Sequence, residues 1–177
     1  LPSQQTLNAS SVRAMREDHR GDLWFAPLGG GLNRYERHGA WSSNGGFRRD
    51  GIVSVPDSIS VLFEDRRGTL WGGSQFGLAA IDSSRLSSRI YTREEGLPSD
   101  TVLAITEDSA GTLWVGTQNG VAAFDGATWS RFLFGGVEGF GHRVTKIVED
   151  PAHRVWFLSA SRGLYSLNSA RTMLIRA

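Results

Sequence analysis

At 177 residues and a net charge of +1, the chain is about one domain's worth of sequence and carries no general field for polyanions. Lys146 is the single lysine beside arginines spread along the whole chain, which argues against a nucleic-acid surface, and a hydrophobic share of 40% is ample for a core. There is no cysteine, which excludes a disulfide framework and a thiolate metal site, and no apolar stretch approaches the length of a membrane span.

In chain order, a first strand runs up to Glu17-Asp18, and Asp18 to Gly21 has Asp and Gly at the ends of a type I turn. A second strand carries Leu23-Trp24, a turn contains Gly31, and a third strand is apolar at Leu32 and Tyr35. A fourth is expected between Ala40 and Arg49.

The same series then returns three times. Glu-Asp pairs recur at 64/65, 107/108 and 149/150, and Trp71, Trp114 and Trp156 each follow the Asp by six residues, in steps of 47, 43 and 42. The first hairpin turns are Asp65 to Gly68, Asp108 to Gly111 and Asp150-Pro151-Ala152-His153. The last keeps Asp and gains Pro but gives up Gly, so it is expected to be the most strained. The first strand, apolar over Val102 to Ile105 in the third copy, reads as an inner strand buried on both faces. The residue two past Trp is small in three copies (Ala26, Gly73, Gly116), which suggests close packing on a neighbouring sheet. Second hairpins turn at Gly77, Asn119-Gly120 and Gly163, with third strands apolar at Leu78/Ile81, Val121/Phe124 and Leu164/Leu167. Fourth strands are expected at Ser88 to Thr92, Thr128 to Phe132 and Thr172 to Arg176.

A four-stranded antiparallel unit of about 40 to 45 residues, copied in tandem with one large aromatic per copy, is the blade of a β-propeller. The fold class is therefore all-β, four propeller blades at approximately 11–57, 58–100, 101–141 and 142–177 within a single propeller domain or fragment. They would form an arc of a larger ring, half of a dimeric ring, or a small four-bladed ring. The chain opens on Leu-Pro-Ser, the tripeptide that recurs at Leu97 to Ser99, which reads as a cut at a repeat boundary in a longer protein. An open arc would expose apolar blade faces and favour a homo-oligomer.

At EDxxGxLW, at GL or GV followed by an aromatic or Ile before Asp, and at YTREEGLPSD (Tyr91 to Asp100), the chain resembles the two-component regulator propeller repeat. The resemblance implies a sensor region outside the inner membrane of a bacterium, periplasmic or otherwise extracytoplasmic, with membrane attachment only through flanking segments. It also implies a downstream kinase or cyclase outside this chain and an oligosaccharide as ligand class. The first copy departs from the pattern by a Gly-rich stretch between Glu36 and Ser58, and the fourth by Phe157-Leu158 where Val115-Gly116 stand in the third.

Four acidic pairs invite a general acid/base reading, as in glycosidases. Catalysis needs such a pair once; recurrence at the same hairpin makes them structural, and the four tryptophans are core by the same logic. Function is then sought where the copies differ, on the loops linking second to third strands and on the blade links. Gln75, Phe76, Asp100, Gln118, Asn119, His142, Arg143 and Arg162 are the candidate ligand-binding residues, suited to a sugar or another polar small molecule. Gly29-Gly30, Asp57, Glu138 and Phe140 lie in or beside the same loops. No catalytic residue, metal or cofactor is expected. The rival readings are a propeller enzyme, a lyase or hydrolase using Asp100, His142 and Arg143, and a protein-interaction scaffold.

Overall fold

The computed structural model describes residues 11–28, 31–37, 41–42, 55–56, 58–82, 87–132, 142–168 and 174–177. Their regular structure is strand throughout, arranged as four antiparallel sheets of four. The first sheet is β1 (Val12–Glu17), β2 (Leu23–Pro27), β3 (Asn33–Tyr35) and β4 (Trp41–Ser42); the second is β5 (Val61–Glu64), β6 (Leu70–Ser74), β7 (Gly77–Asp82) and β8 (Ser87–Tyr91). The third is β9 (Val102–Glu107), β10 (Leu113–Thr117), β11 (Gly120–Phe124) and β12 (Trp129–Phe132); the fourth is β13 (Val144–Glu149), β14 (Val155–Ser159), β15 (Gly163–Leu167) and β16 (Leu174–Arg176). In each, spatial order follows chain order. Gly29-Gly30, the expected fourth-strand residues beyond Ser42, Asp57, Glu138, Phe140 and Thr172 lie outside the described residues.

The chain divides into two compact units, Leu1–Gln75 with Ala79–Ile90 and Phe76–Leu78 with Tyr91–Ala177. In the first, Trp24, Leu32, Ile59, Leu70 and Ile81 belong to one core cluster. In the second, Trp114, Val121, Val144, Phe157 and Leu174 belong to another, closed between the third and fourth sheets.

The spacing of six residues from Asp to Trp has a single cause. In every sheet the Asp Oδ2 accepts the hydrogen bond of the Trp indole Nε1–H: Trp24 to Asp18 at 2.9 Å, Trp71 to Asp65 at 2.8 Å, Trp114 to Asp108 at 2.9 Å and Trp156 to Asp150 at 2.8 Å. The Oδ1 closes the turn by accepting the backbone N–H four residues on, from Asp22, Thr69, Thr112 and Arg154. One carboxylate thus satisfies the polar edge of a buried aromatic and the amides of a tight turn, and a second oxygen-bearing side chain is not needed.

The fourth turn carries the expected strain. His153 takes φ +59°, where the other copies place Gly21, Gly68 and Gly111 at +83°, +80° and +85°. A side chain with a Cβ is disfavoured in that region by about 1 kcal/mol. His153→Gly relieves that strain and gives up the contacts of the ring with Ser109 and Glu149, so a rise in melting temperature of no more than about 2–4 °C is expected by calorimetry.

Close packing at the small position is also present. A Cβ added to Gly116 would lie 2.8 Å from the Val144 carbonyl oxygen and 2.9 Å from Val144 Cγ1, so the fourth sheet is seated on the bare backbone of the third.

Two expectations need correction. The first strand is covered on both faces only in the third sheet, where Ala104 and Ile105 on opposite faces are both buried; Met15 in β1 is 65% exposed and Val148 in β13 is 44% exposed. First strands are edge strands. One face of β1 and of β13 stays exposed, which an apolar run in the sequence does not report. The tryptophans are not all core either. Trp24, Trp71 and Trp114 are buried, whereas Trp156 is half-buried because its face of the fourth sheet is uncovered.

Candidate functional site

In the third and fourth sheets the blade link and the second hairpin meet at one end. Gln118 N–H donates to Thr101 O at 2.9 Å, and Ala160 N–H donates to Arg143 O at 2.9 Å. The same bond recurs in the first sheet, from Leu28 N–H to Ser11 O, whereas in the second sheet the link donates instead, from Ser60 N–H to Gly73 O. The residues that differ between copies are therefore presented at a fixed end of a regular scaffold.

In the third sheet this brings Gln118 and Asn119 beside the link that contains Asp100. The turn is held by Thr117, whose buried hydroxyl donates to Gly120 O at 3.0 Å and accepts from Asn119 N–H at 3.2 Å. Gln118 is exposed and Asn119 half-buried. Asp100 plays a structural part, since its Oδ1 accepts the Arg93 N–H at 2.8 Å, while Glu95 caps Thr92 at 2.7 Å. The link also packs on the outer strand. Gly96, at φ +123°, leaves only 2.7 Å between its would-be Cβ and that of Trp129, and Arg131 donates to Gly96 O and Arg93 O.

In the fourth sheet, His142, Arg143 and Arg162 come together. His142 lies edge-on to Tyr165, with ring centroids 6.2 Å apart. Burial, and then the positive charge of Arg162, hold its pKa below the ordinary histidine value, so the imidazole is neutral at pH 7. Arg143 and Arg162 are exposed cations. Gln75 and Phe76 stand exposed at the tip of the β6–β7 hairpin, Phe76 at 56%. A recess of ≈ 200 Å³ sits at the opposite end of the third sheet, between Thr112, Trp114, Asp125, Thr128 and Phe132. It is smaller than a typical ligand pocket. Asp125 there closes its own turn through Ala127 and Thr128.

Two glutamates of the acidic pairs, Glu64 and Glu149, whose job sequence reasoning missed, fasten one sheet to the one before it. Glu64 accepts from His19 N–H at 2.8 Å and pairs with His19 Nδ1 at 2.5 Å. Glu149 accepts from Ser109 N–H at 2.8 Å and from Ser109 Oγ at 2.5 Å. The available signal was that Glu recurs although the turn needs only Asp. His153 Nδ1 stands 2.9 Å from Ser109 Oγ and 3.3 Å from Glu149 Oε1. This Ser-His-Glu meeting is not a nucleophile relay, because hydroxyl and carboxylate face the same ring nitrogen and the imidazole cannot pass a proton across itself. It is a clasp.

These carboxylates set a pH dependence. The Trp156 indole hydrogen bond, followed by backbone and guanidinium donors, lowers the Asp150 pKa from 3.8 to about 2. Hydrogen bonds from Ser109 lower Glu149, and the Arg37 N–H, with Arg34, lowers Asp22. Folded values below the unfolded ones mean stability that is complete above about pH 5 and lost as pH falls toward 2. The melting temperature is expected to fall across that window, and Asp150→Asn should reduce the slope.

Among the described residues no three His, Cys, Asp or Glu side chains group to hold a metal, and no helix is long and apolar enough to cross a membrane.

Four antiparallel meanders of four strands, each fastened by Asp to Trp, with Glu64 joining the second sheet to the first and Glu149 the fourth to the third, are blades of a β-propeller. The two component regulator propeller family model matches residues 96–119, from the blade link through β10 into the second hairpin. The fold is similar to the extracellular domain of the hybrid two component system BT3049 from B. thetaiotaomicron (TM-score 0.71, 18% identity, 97% of this chain and 22% of that one). It is also similar to the extracellular domain of the one component system BT4673 from the same organism (TM-score 0.72, 19% identity, 97% and 25%). The virginiamycin B lyase of Staphylococcus aureus shares the fold as well (TM-score 0.68, 13% identity, 90% and 53%). The chain thus spans about a quarter of the length of the two extracellular domains. No curated protein matches it.

Proposed function

We propose that this chain is a ligand-sensing propeller region of a bacterial signalling receptor, placed outside the cytoplasm. It recognises a polar small molecule, foremost an oligosaccharide, without altering it. The observation that carries this reading is the loop end of the third and fourth sheets. There, the loop residues Gln118, Asn119, His142, Arg143 and Arg162, which differ between copies, stand in turns and links tied to one another by backbone hydrogen bonds. Exposed amides, two guanidiniums and a neutral imidazole suit hydroxyl-rich ligands, and Phe76 offers a flat apolar surface. The family match, which spans one of these links, and the likeness to extracellular domains of signalling systems support it. Signalling then requires the ligand to bind two arrangements of the receptor with different affinity.

The test is thermal melting against oligosaccharides, amino acids and nucleotides. A ligand present at about one hundred times its dissociation constant adds about 2.7 kcal/mol. A selective shift with the ligand recovered intact is the expected result, and it should vanish in Arg162→Ala. Consumption of the ligand would favour the second reading, an enzyme, which the likeness to a lyase motivates. His142→Ala would then abolish turnover.

A further inference from the structure

The register sets Val144, Ser159 and Gly163 in one row of the fourth sheet and Phe157, Tyr165 and Arg176 in the next, all on one face. Val144, Phe157 and Tyr165 belong to the core shared with Trp114 and Val121, so this face is the one turned to the third sheet. At its loop end the apolar packing gives way to polar groups.

Ser159 is 2% exposed, yet its Oγ has no hydrogen-bond partner among the described residues. Thr117, at the same position of the third sheet, uses its hydroxyl to close its own hairpin, donating to Gly120 O and accepting from Asn119 N–H. The fourth sheet leaves that donor in reserve. A buried hydroxyl without a partner is unfavourable in the empty protein, and a ligand that accepts from it removes the penalty.

The groups around Ser159 are donors too. Arg176 Nη2 lies 3.9 Å from the place of a Cβ on Gly163, the residue paired with Ser159. Arg162 stands in the hairpin itself, where its charge acts on His142, and the His142 ring lies edge-on to Tyr165 of the same face. Arginines elsewhere are engaged, Arg34 with Asp22, Arg154 with Asp150 and Arg131 with two carbonyls. Arg162 and Arg176 meet no carboxylate among the described residues. A guanidinium has five N–H donors and no acceptor. A sugar hydroxyl needs an acceptor as well as a donor, whereas a group that only accepts and carries negative charge is served by donors alone.

We infer that the loop end of this face seats an anion, the carboxylate or sulfate group of an acidic oligosaccharide, between the guanidiniums of Arg162 and Arg176 with the Ser159 hydroxyl donating to it. The Arg176 tip is the flexible part of what overlies the Ser159 and Gly163 pair, and drawing it onto the anion opens the way to the hydroxyl. Gln118 and Asn119 of the third sheet are left for the sugar hydroxyls. That the anion belongs to a sugar rests on the sensing reading; the seat itself does not.

Sodium glucuronate and sodium sulfate are the probes for the seat, at about 1 to 100 mM, the range that a few charge-assisted contacts imply. Binding is followed by the His142 ring resonance in NMR, assigned by its absence from His142→Gln, with ionic strength held constant by chloride and glucose as the neutral control. A saturable shift with an anion and none with glucose is expected; glucuronate alone would assign the seat to carboxylates, sulfate alone to sulfate esters. Arg162→Ala should weaken binding at least about tenfold. Arg67→Ala, an exposed arginine in a first-hairpin turn, should leave it unchanged. Ser159→Ala should weaken it about threefold or more and leave the melting temperature of the free protein level, because the hydroxyl removed has no partner there. No saturable shift, or one that both Arg162→Ala and Ser159→Ala leave intact, would overturn the inference. In the oligosaccharide melting panel, a selective shift by neutral members with none by acidic ones would overturn it and leave the sensing reading in place. Anion binding that Arg162→Ala abolishes, with no oligosaccharide active, would uphold the seat and overturn the sensing reading.

Discussion

Replacing Asp108 with alanine is expected to lower the unfolding free energy by roughly 3 kcal/mol, among the larger effects a single side chain can have. The carboxylate is 1% exposed and accepts from Thr112 N–H and from Trp114 Nε1–H, both at 2.9 Å. Alanine leaves an indole donor buried beside the core of the third and fourth sheets and an amide of the turn without its acceptor. With a denaturant slope of about 2 kcal/mol per molar, the urea midpoint should fall by about 1.5 M. Asp108→Asn should cost less. Its oxygen can still serve the turn, but its amide group then faces the indole N–H, donor against donor.

Gly116→Leu is expected to cost at least about 3 kcal/mol and to loosen the fourth sheet from the third. The obstacle is backbone: Val144 O lies 2.8 Å from the position of the new Cβ, and a carbonyl fixed in β13 cannot rotate away as a side-chain tip would. The core cluster that unites Trp114, Val121, Val144 and Phe157 would have to open to admit the side chain. Thermal melting should show an early loss of tertiary signal with most strand signal retained, and Gly116→Ala should show a smaller loss in the same direction. The natural leucine at the matching position of the fourth sheet, Leu158, is tolerated because its face is open.

Much of this architecture is legible in the sequence, because each blade restates the others. The Asp-x5-Trp spacing, the Gly at the end of the first turn and the small residue after Trp are local constraints, each visible in three or four copies. The strain at His153 is legible for the same reason, as a departure from a repeated glycine. The role of Glu149 is not, since its partner Ser109 lies 40 residues away and only the packing of two sheets brings them together. The open face of the fourth sheet also escapes the sequence: Trp156 and Leu164 look like Trp114 and Val121 until one knows which sheet faces which. At the candidate site, the loop positions follow from the hairpins. Two facts needed the structure. Asp100 is spent on Arg93 N–H, and His142 lies against Tyr165 and under the charge of Arg162.

The central claim is that the acidic pairs are fasteners of a repeated scaffold, which leaves recognition to the loops. It is tested most directly by a double-mutant cycle between Asp108→Ala and Trp114→Phe, read by urea unfolding. Phenylalanine keeps an aromatic ring and removes the indole donor. A coupling of about 1–2 kcal/mol between the two changes is the predicted result. Strict additivity, or an Asp108→Ala variant with unaltered stability and lost ligand binding, would contradict the claim and return the carboxylates to the chemistry of the protein.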